Sequence, residues 1–337
     1  MDRHRLLITG VAGFLGSNLS FALRQRGYCV VGLDDLSHGQ FARVASRVGE
    51  GFQFIEADTR DRDAVMRASE GASCIIHLAE DNANCQDGSL RCLEVNLEGT
   101  RVALEAAVRR GARFVLGSTE DVYGKNSEAP LNEESALVMG QTGLPLWNLP
   151  VSKLLSEQLT FAFNQKHGLP VTILRYGRGY GENQPFDMRG WPISAFITSA
   201  LNREPMIIHG DGSLLRSFTH VADLVAGTVL AIESPDAQGE ILNLGSRDLL
   251  STVDLAHMVW RLAGNGDRPK LEFLPDLDPL RDHGVVHNRP LDISKAHHLL
   301  GYEPRVPIGE GLRETIRWQA AALGVNAADR EMHERKQ

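Results

Sequence analysis

RLLITGVAGFLGSNLSFALRQRG, residues 5–27, decides how the chain begins to fold. Apolar residues fill positions 6–8 of the run RLLIT, glycines follow at Gly10, Gly13 and Gly16, and apolar residues then recur at helical spacing. That order reads as strand, tight turn, helix. Glycines in such a turn let the backbone approach a pyrophosphate and let the helix pack close to the strand, while the helix N-terminus offers its amides to the phosphates. The next apolar run, VVGLDDLSHG at 30–39, places Asp34 at the end of a second strand, where a carboxylate accepts a ribose 2′-hydroxyl. A carboxylate there repels a 2′-phosphate, and no arginine follows in the next few residues, so the expected cofactor is NAD rather than NADP.

Working outward, further short apolar runs at 52–56, 74–79, 113–118 and 171–175 alternate with helical patterns such as NLEGTRVALEAAVRRG at 96–111. Strands that are apolar throughout, each followed by a helix, indicate a parallel sheet covered on both faces. The expected fold is α/β, a doubly wound Rossmann sheet over residues 1–175 that also takes in about 219–246. A smaller C-terminal substrate domain is expected, mainly over 176–325 and interleaved with the last strands. The net charge of −8 argues against a nucleic-acid surface, so an anionic ligand must be held by individual cations. No apolar run approaches the ~18 residues that span a bilayer. The start MDRHRLLITG lacks an apolar leader, and Cys29, Cys74, Cys85 and Cys92 show neither a CxxC pair nor metal-ligand spacing. Reduced thiols, no disulfide, no metal site and a cytoplasmic location are expected.

An ordered series of motifs carries a resemblance: GVAGFLG at 10–16, LDDLS at 33–37, ADTRD at 57–61, HLA at 77–79, VNLEGT at 95–100, STEDVYG at 118–124, SKLLSEQ at 152–158, LRYGRGYG at 174–181, HGDGSLLRSFTHVADL at 209–224, LNLGS at 242–246 and LDISKAHHLLGYEP at 291–304. With them the chain resembles the extended short-chain dehydrogenase/reductases, specifically the nucleotide-sugar epimerases, dehydratases and decarboxylases. The resemblance implies an NAD enzyme acting on a UDP- or dTDP-hexose. It implies cofactor contacts from Gly10, Gly13, Phe14, Leu15, Gly16, Asp34, Asp35, Ser37, Gly39, Leu78, Ala79 and Tyr176. Asp58 and Thr59 would lie by the adenine, Asn96 would hold the sheet near the site, and Lys153 would bond the nicotinamide ribose. Arg216, with Arg281 more loosely, would meet the nucleotide diphosphate or base. Helices at 96–110 and 152–166 would form a homodimer interface, with Val102, Leu104, Ala106, Leu155, Leu159 and Phe163 as apolar positions beyond what the sheet requires.

The reacting groups depart from that family. Its reaction uses a tyrosine in a YxxxK pair to take a sugar hydroxyl proton as hydride passes to NAD. Here Lys153 holds the lysine place and Thr119 the Ser/Thr place, but Leu149 holds the tyrosine place, and residues 124–175 contain no tyrosine. Glu120 and Asp121 follow Thr119, Glu80 follows HLA, and Arg178 stands where an asparagine is usual. An acidic cluster can supply a base when burial and neighbours tune it. Thr119, Glu120, Asp121 and Lys153 are therefore the expected catalytic set, with Glu80 and Arg178 on the substrate. The rival reading is a nucleotide-sugar and NAD binding homologue without conventional turnover. A simple reductase acting on another substrate is disfavoured by the 209–224 and 291–304 motifs.

Overall fold

Residues 5–9 bury almost completely because the strand they form lies at the centre of a sheet whose two faces are both covered. A computed structural model of the chain describes residues 4–82, 84–85, 87–186, 192–275 and 290–325. The first half runs β1 (Arg5–Thr9), α1 (Phe14–Gln25), β2 (Cys29–Asp34), α2 (Ala42–Ala45), β3 (Phe52–Glu56), α3 (Arg62–Ala68), β4 (Ala72–His77), α4 (Leu90–Arg110), β5 (Arg113–Thr119), α5 (Asn148–His167) and β6 (Val171–Tyr176). There follow β7 (Gly179–Tyr180), α6 (Pro192–Asn202), β8 (Met206–His209), β9 (Leu215–Ser217), β10 (Thr219–His220), α7 (Val221–Glu233), β11 (Ile241–Leu244), β12 (Leu249–Ser251), α8 (Thr252–Leu262), β13 (Leu271–Leu274), α9 (Ser294–Leu300) and α10 (Ile308–Ala322).

The main sheet has seven strands in the order β11-β6-β5-β4-β1-β2-β3, all parallel. The chain moves outward from β1 to β3, then restarts on the other side at β4. That reversal opens a crevice at the carboxyl ends of β1 and β4. One core cluster, with Leu6, Ile8, Leu19 and Leu224, fills one face of the sheet; another, with Leu7, Val31, Ile75 and Phe114, fills the other. A third core, built from Phe196, Ile208, Leu255, Trp260 and Leu312, belongs to the later elements α6, β8, α8 and α10.

Helices α4 and α5 approach closely through small and polar residues. The Asn96 amide donates to Ser152 Oγ at 2.9 Å, and Thr100 Oγ1 donates to Ser156 Oγ at 3.2 Å. Two expectations are corrected here. Val102, Leu104 and Ala106 do not form an excess apolar face, because all three are buried against the sheet within the single chain. Of the six positions, Leu155 is the well exposed one, at 46%, with Leu159 and Phe163 partly covered. The cysteines are not all free thiols: Cys85 and Cys92 are joined, because the loop after β4 folds back onto the first turn of α4 and brings their Cα atoms to 5.1 Å. Cys29 and Cys74 are free.

Beneath the crevice lies a buried ion pair. Arg175 on β6 meets Glu157 on α5 at 2.7 Å, with both side chains almost wholly covered. Ser118 Oγ donates to the same carboxylate, and the guanidinium lies 4.9 Å over the Tyr123 ring, whose hydroxyl donates to Asn243 on β11. Removing one partner strands the other charge out of water. Glu157→Ala is expected to lower unfolding free energy by about 3–5 kcal/mol in urea melts.

Candidate active site

The crevice is a cleft of about 350 Å³ lined from the ends of β1, β2, β4, β5 and β6 and from α5. Its floor is the first turn. Gly10 has φ +72°, and a Cβ on it would lie 2.7 Å from the Ala79 amide nitrogen. A Cβ on Gly16 would lie 2.2 Å from the Gly10 carbonyl oxygen, so α1 sits closer to β1 than any side chain allows. Gly13 caps α1 with no side-chain hydrogen bond, and no acid stands in that helix's first turn. The helix end therefore faces the cleft with its positive partial charge uncancelled, which suits a pyrophosphate.

At one end of the cleft Asp34 is 7% exposed and accepts the backbone N–H groups of Ala12 at 2.8 Å and Leu36 at 2.9 Å. Burial pushes its pKa up, and the two amides pull the other way. Gly39 is required beside it, since a Cβ there would lie 2.5 Å from Asp34 Oδ1. Asp58 is held by Arg60, whose hydrogen bonds keep its carboxyl below the usual range. Thr59 is buried, lines the cleft, and its hydroxyl has no hydrogen-bond partner among the described residues. An orphan hydroxyl beside a glycine cradle fits a ligand bearing ribose and adenine.

At the opposite end Lys153 is buried, with Nζ donating to the Gly117 carbonyl at 2.9 Å and paired with Glu80 at 2.5 Å. Thr119 Oγ1 donates to Asp121 Oδ2 at 3.2 Å and accepts from the Asp121 amide. Arg178 reaches Glu120 at 3.3 Å and Asp121 at 4.0 Å. The Tyr176 hydroxyl is turned to Thr228 Oγ1 at 2.8 Å. Burial raises that phenol's pKa and keeps it neutral. His77, under Lys153, bonds Thr9 at 2.8 Å, and burial with the nearby lysine pushes it down to about 3.

The cleft thus gathers Gly10, Gly13, Phe14, Leu15, Gly16, Asp34, Asp35, Ser37, Gly39, Asp58, Thr59, Leu78, Ala79, Glu80, Thr119, Glu120, Asp121, Lys153, Tyr176 and Arg178. Other expected residues sit elsewhere. Asn96 lies behind the lining, where its Oδ1 accepts the Asp81 amide at 2.8 Å while its amide group bonds Ser152; it anchors the loop after β4 to α5. Arg216 is on β9, paired in register with Leu250 of β12, outside the cleft lining. Arg281 lies outside the described residues. Leu149 stands one turn before Lys153 on α5 and is also outside the lining.

Sequence reasoning missed several groups. Asp81 is 1% exposed and takes Arg91 at 3.2 Å, His38 at 3.2 Å and the Asn84 side chain. Arg91 also bonds Asp35 at 2.9 Å, so it joins the loops after β2 and β4 over the cleft. Arg43 lines the cleft beside Asp34 and donates to the Ala12 carbonyl at 3.2 Å. The doubled acid after HLA was a signal for Asp81; nothing local marked Arg43 or Arg91.

Comparison with known proteins places this geometry. Residues 6–245 match the family model described as the NAD dependent epimerase/dehydratase family. A UDP-N-acetyl-alpha-D-glucosaminuronate decarboxylase of Bacillus cytotoxicus is 31% identical over 94% of this chain and 98% of its own length. A dTDP-glucose 4,6-dehydratase of Streptomyces niveus is 30% identical over 93% and 92%. Among solved structures, the UDP-glucuronic acid 4-epimerase of Bacillus cereus in complex with UDP-glucuronic acid and NAD superposes with a TM-score of 0.83, at 28% identity, over 94% of this chain and 99% of that one. The glycine turn, the acid at the end of β2 and the lysine line one cleft, and the chain belongs to the NAD-dependent epimerase/dehydratase family.

Proposed function

We propose that this chain oxidises the hexose of a UDP- or dTDP-sugar with NAD as an internal, regenerated oxidant, in the manner of the epimerases and dehydratases, with an altered proton-transfer site. The observation that carries the reading is the convergence on one cleft of the phosphate turn, Asp34, Lys153 and the Thr119–Glu120–Asp121 group. NAD supplies hydride acceptance; the chain supplies binding, orientation and proton handling. Gly10, Gly13 and Gly16 cradle the pyrophosphate, Asp34 takes the ribose hydroxyls, and Lys153 orients the nicotinamide end. Thr119 positions the sugar. Glu120 and Asp121, held by Arg178, move protons at carbons beside the keto group. The chemistries named for relatives, decarboxylation, dehydration and epimerisation, support such a second stage.

Leu149 is what favours the second reading, a nucleotide-sugar and NAD binding homologue without conventional turnover. Mass spectrometry of products after incubation with NAD and a panel of UDP- and dTDP-hexoses separates the two. We also propose a cytoplasmic location and, separately, a homodimer through α4 and α5, the dimer supported by the exposed Leu155 beside Leu159 and Phe163. Light scattering at micromolar concentration is expected to give twice the chain mass.

NAD is expected to bind much more tightly than NADP, and Asp34→Ala to narrow the gap by about 1.5–3 kcal/mol in calorimetric titrations, the worth of one charge-assisted bond. Equal affinity of the wild type for both cofactors refutes the role of Asp34. UDP or dTDP is expected to raise the melting temperature by mass action. No shift at millimolar nucleotide removes the substrate class.

A further inference from the structure

The ammonium of Lys153 is fixed between two strand ends. It donates to the Gly117 carbonyl within β5 at 2.9 Å and pairs at 2.5 Å with Glu80, three residues beyond the end of β4. An ammonium has three protons, so one remains for a ligand in the cleft. The lysine is nearly covered, whereas the Glu80 side chain keeps 34% exposure and lines the cleft between Ala79 and Asp81. A carboxylate, held ready by a cation, therefore stands at the nicotinamide end. Leu149, one turn before Lys153 on α5, offers no proton acceptor.

The other charged groups around this point are held by partners other than Lys153. On the loop after β4, Asp81 is taken by Arg91, His38 and Asn84. At the end of β5, Glu120 and Asp121 face Arg178 from the segment after β6. His77, buried at the end of β4, is pushed down to about 3 and stays neutral near pH 7.

We propose that Glu80 is the proton acceptor for the sugar hydroxyl in the oxidation step, with Lys153 holding it in place. This rests on the nucleotide-sugar reading above. In that step the hydroxyl O–H bond breaks and its proton goes to Glu80. The C–H bond at the same carbon breaks and its electron pair leaves as hydride to NAD, the oxidant of the family, and the C–O bond becomes a carbonyl. Glu80 is left as a neutral carboxylic acid. Reduction of the keto sugar returns both, so no outside acid or oxidant is consumed. A Glu80 that merely balances the lysine charge would make a different set of predictions.

The experiment is rapid mixing of NAD-loaded protein with UDP- and dTDP-hexoses, read by absorbance of the reduced cofactor. Glu80→Gln is expected to slow hydride transfer at least ~100-fold, the low end for a lost acid–base group. UDP affinity by calorimetry is expected to stay within threefold. Adding Leu149→Tyr to Glu80→Gln is expected to recover at least tenfold, because a phenol one turn from Lys153 supplies a base. Independently of turnover, Glu80→Gln is expected to weaken oxidised relative to reduced cofactor, since only the oxidised nicotinamide is cationic. A Glu80→Gln rate within threefold of wild type overturns the proposal. So does a double variant that stays as slow as the single one, and so does a wild type that binds UDP and NAD but reduces NAD with no sugar. Failure of UDP and dTDP to bind at all instead removes the nucleotide-sugar reading beneath it.

Discussion

The Gly10 carbonyl oxygen lies 2.2 Å from the point where a Cβ on Gly16 would sit, and the rest of the molecule is arranged around that close approach. It lets α1 lie directly on β1, which turns the amide-bearing end of the helix into the crevice between β1 and β4. A Cβ on Gly10 would meet the Ala79 amide, so the turn after β1 and the loop after β4 share one wall. Every later feature of the cleft, from Asp34 to Lys153, is placed relative to that wall.

The site solves an electrostatic problem set by the whole chain. A protein of net charge −8 must admit an anionic dinucleotide. The cleft acids are accordingly met by cations at short range: Asp35 and Asp81 by Arg91, Asp58 by Arg60, Glu80 by Lys153, Glu120 and Asp121 by Arg178. These pairs cancel field locally without surrendering the carboxylates, which remain where hydrogen bonding or proton transfer needs them. Asp34 is held chiefly by two backbone amides, with the Arg43 cation beside it.

The strands, the glycine turn and Asp34 were legible because each depends on residues near one another in sequence. Periodicity gives the strand, glycine the turn, and the carboxylate the end of β2. What escaped depends on residues brought together across the fold. Arg91 meets Asp35 and Asp81 only because α4 begins above the ends of β2 and β4. The pairing of Cys85 with Cys92 needs the loop after β4 to fold back, and no spacing rule announces it. Val102, Leu104 and Ala106 read as surplus because helical spacing does not reveal how wide a strip the sheet covers; α4 lies deep enough to bury all three. Glu80 was visible as an unusual residue, but its partner Lys153 lies on a different element, so its role emerged from contact rather than pattern.

The seventh strand of the main sheet reaches it late. β11 joins β6 only after the chain has built α6, β8 and α7, and it pairs through bonds such as Ile173 N–H to the Glu240 carbonyl at 2.9 Å and Gly177 N–H to the Leu244 carbonyl at 2.8 Å. A nascent chain that has emerged only as far as β6 therefore presents an open, apolar edge, the kind of strand that recruits other chains. A cut at the end of β6 would leave the main sheet without β11, which comes from beyond the cut. Synthesis through residue 244 is the point at which the sheet first becomes whole.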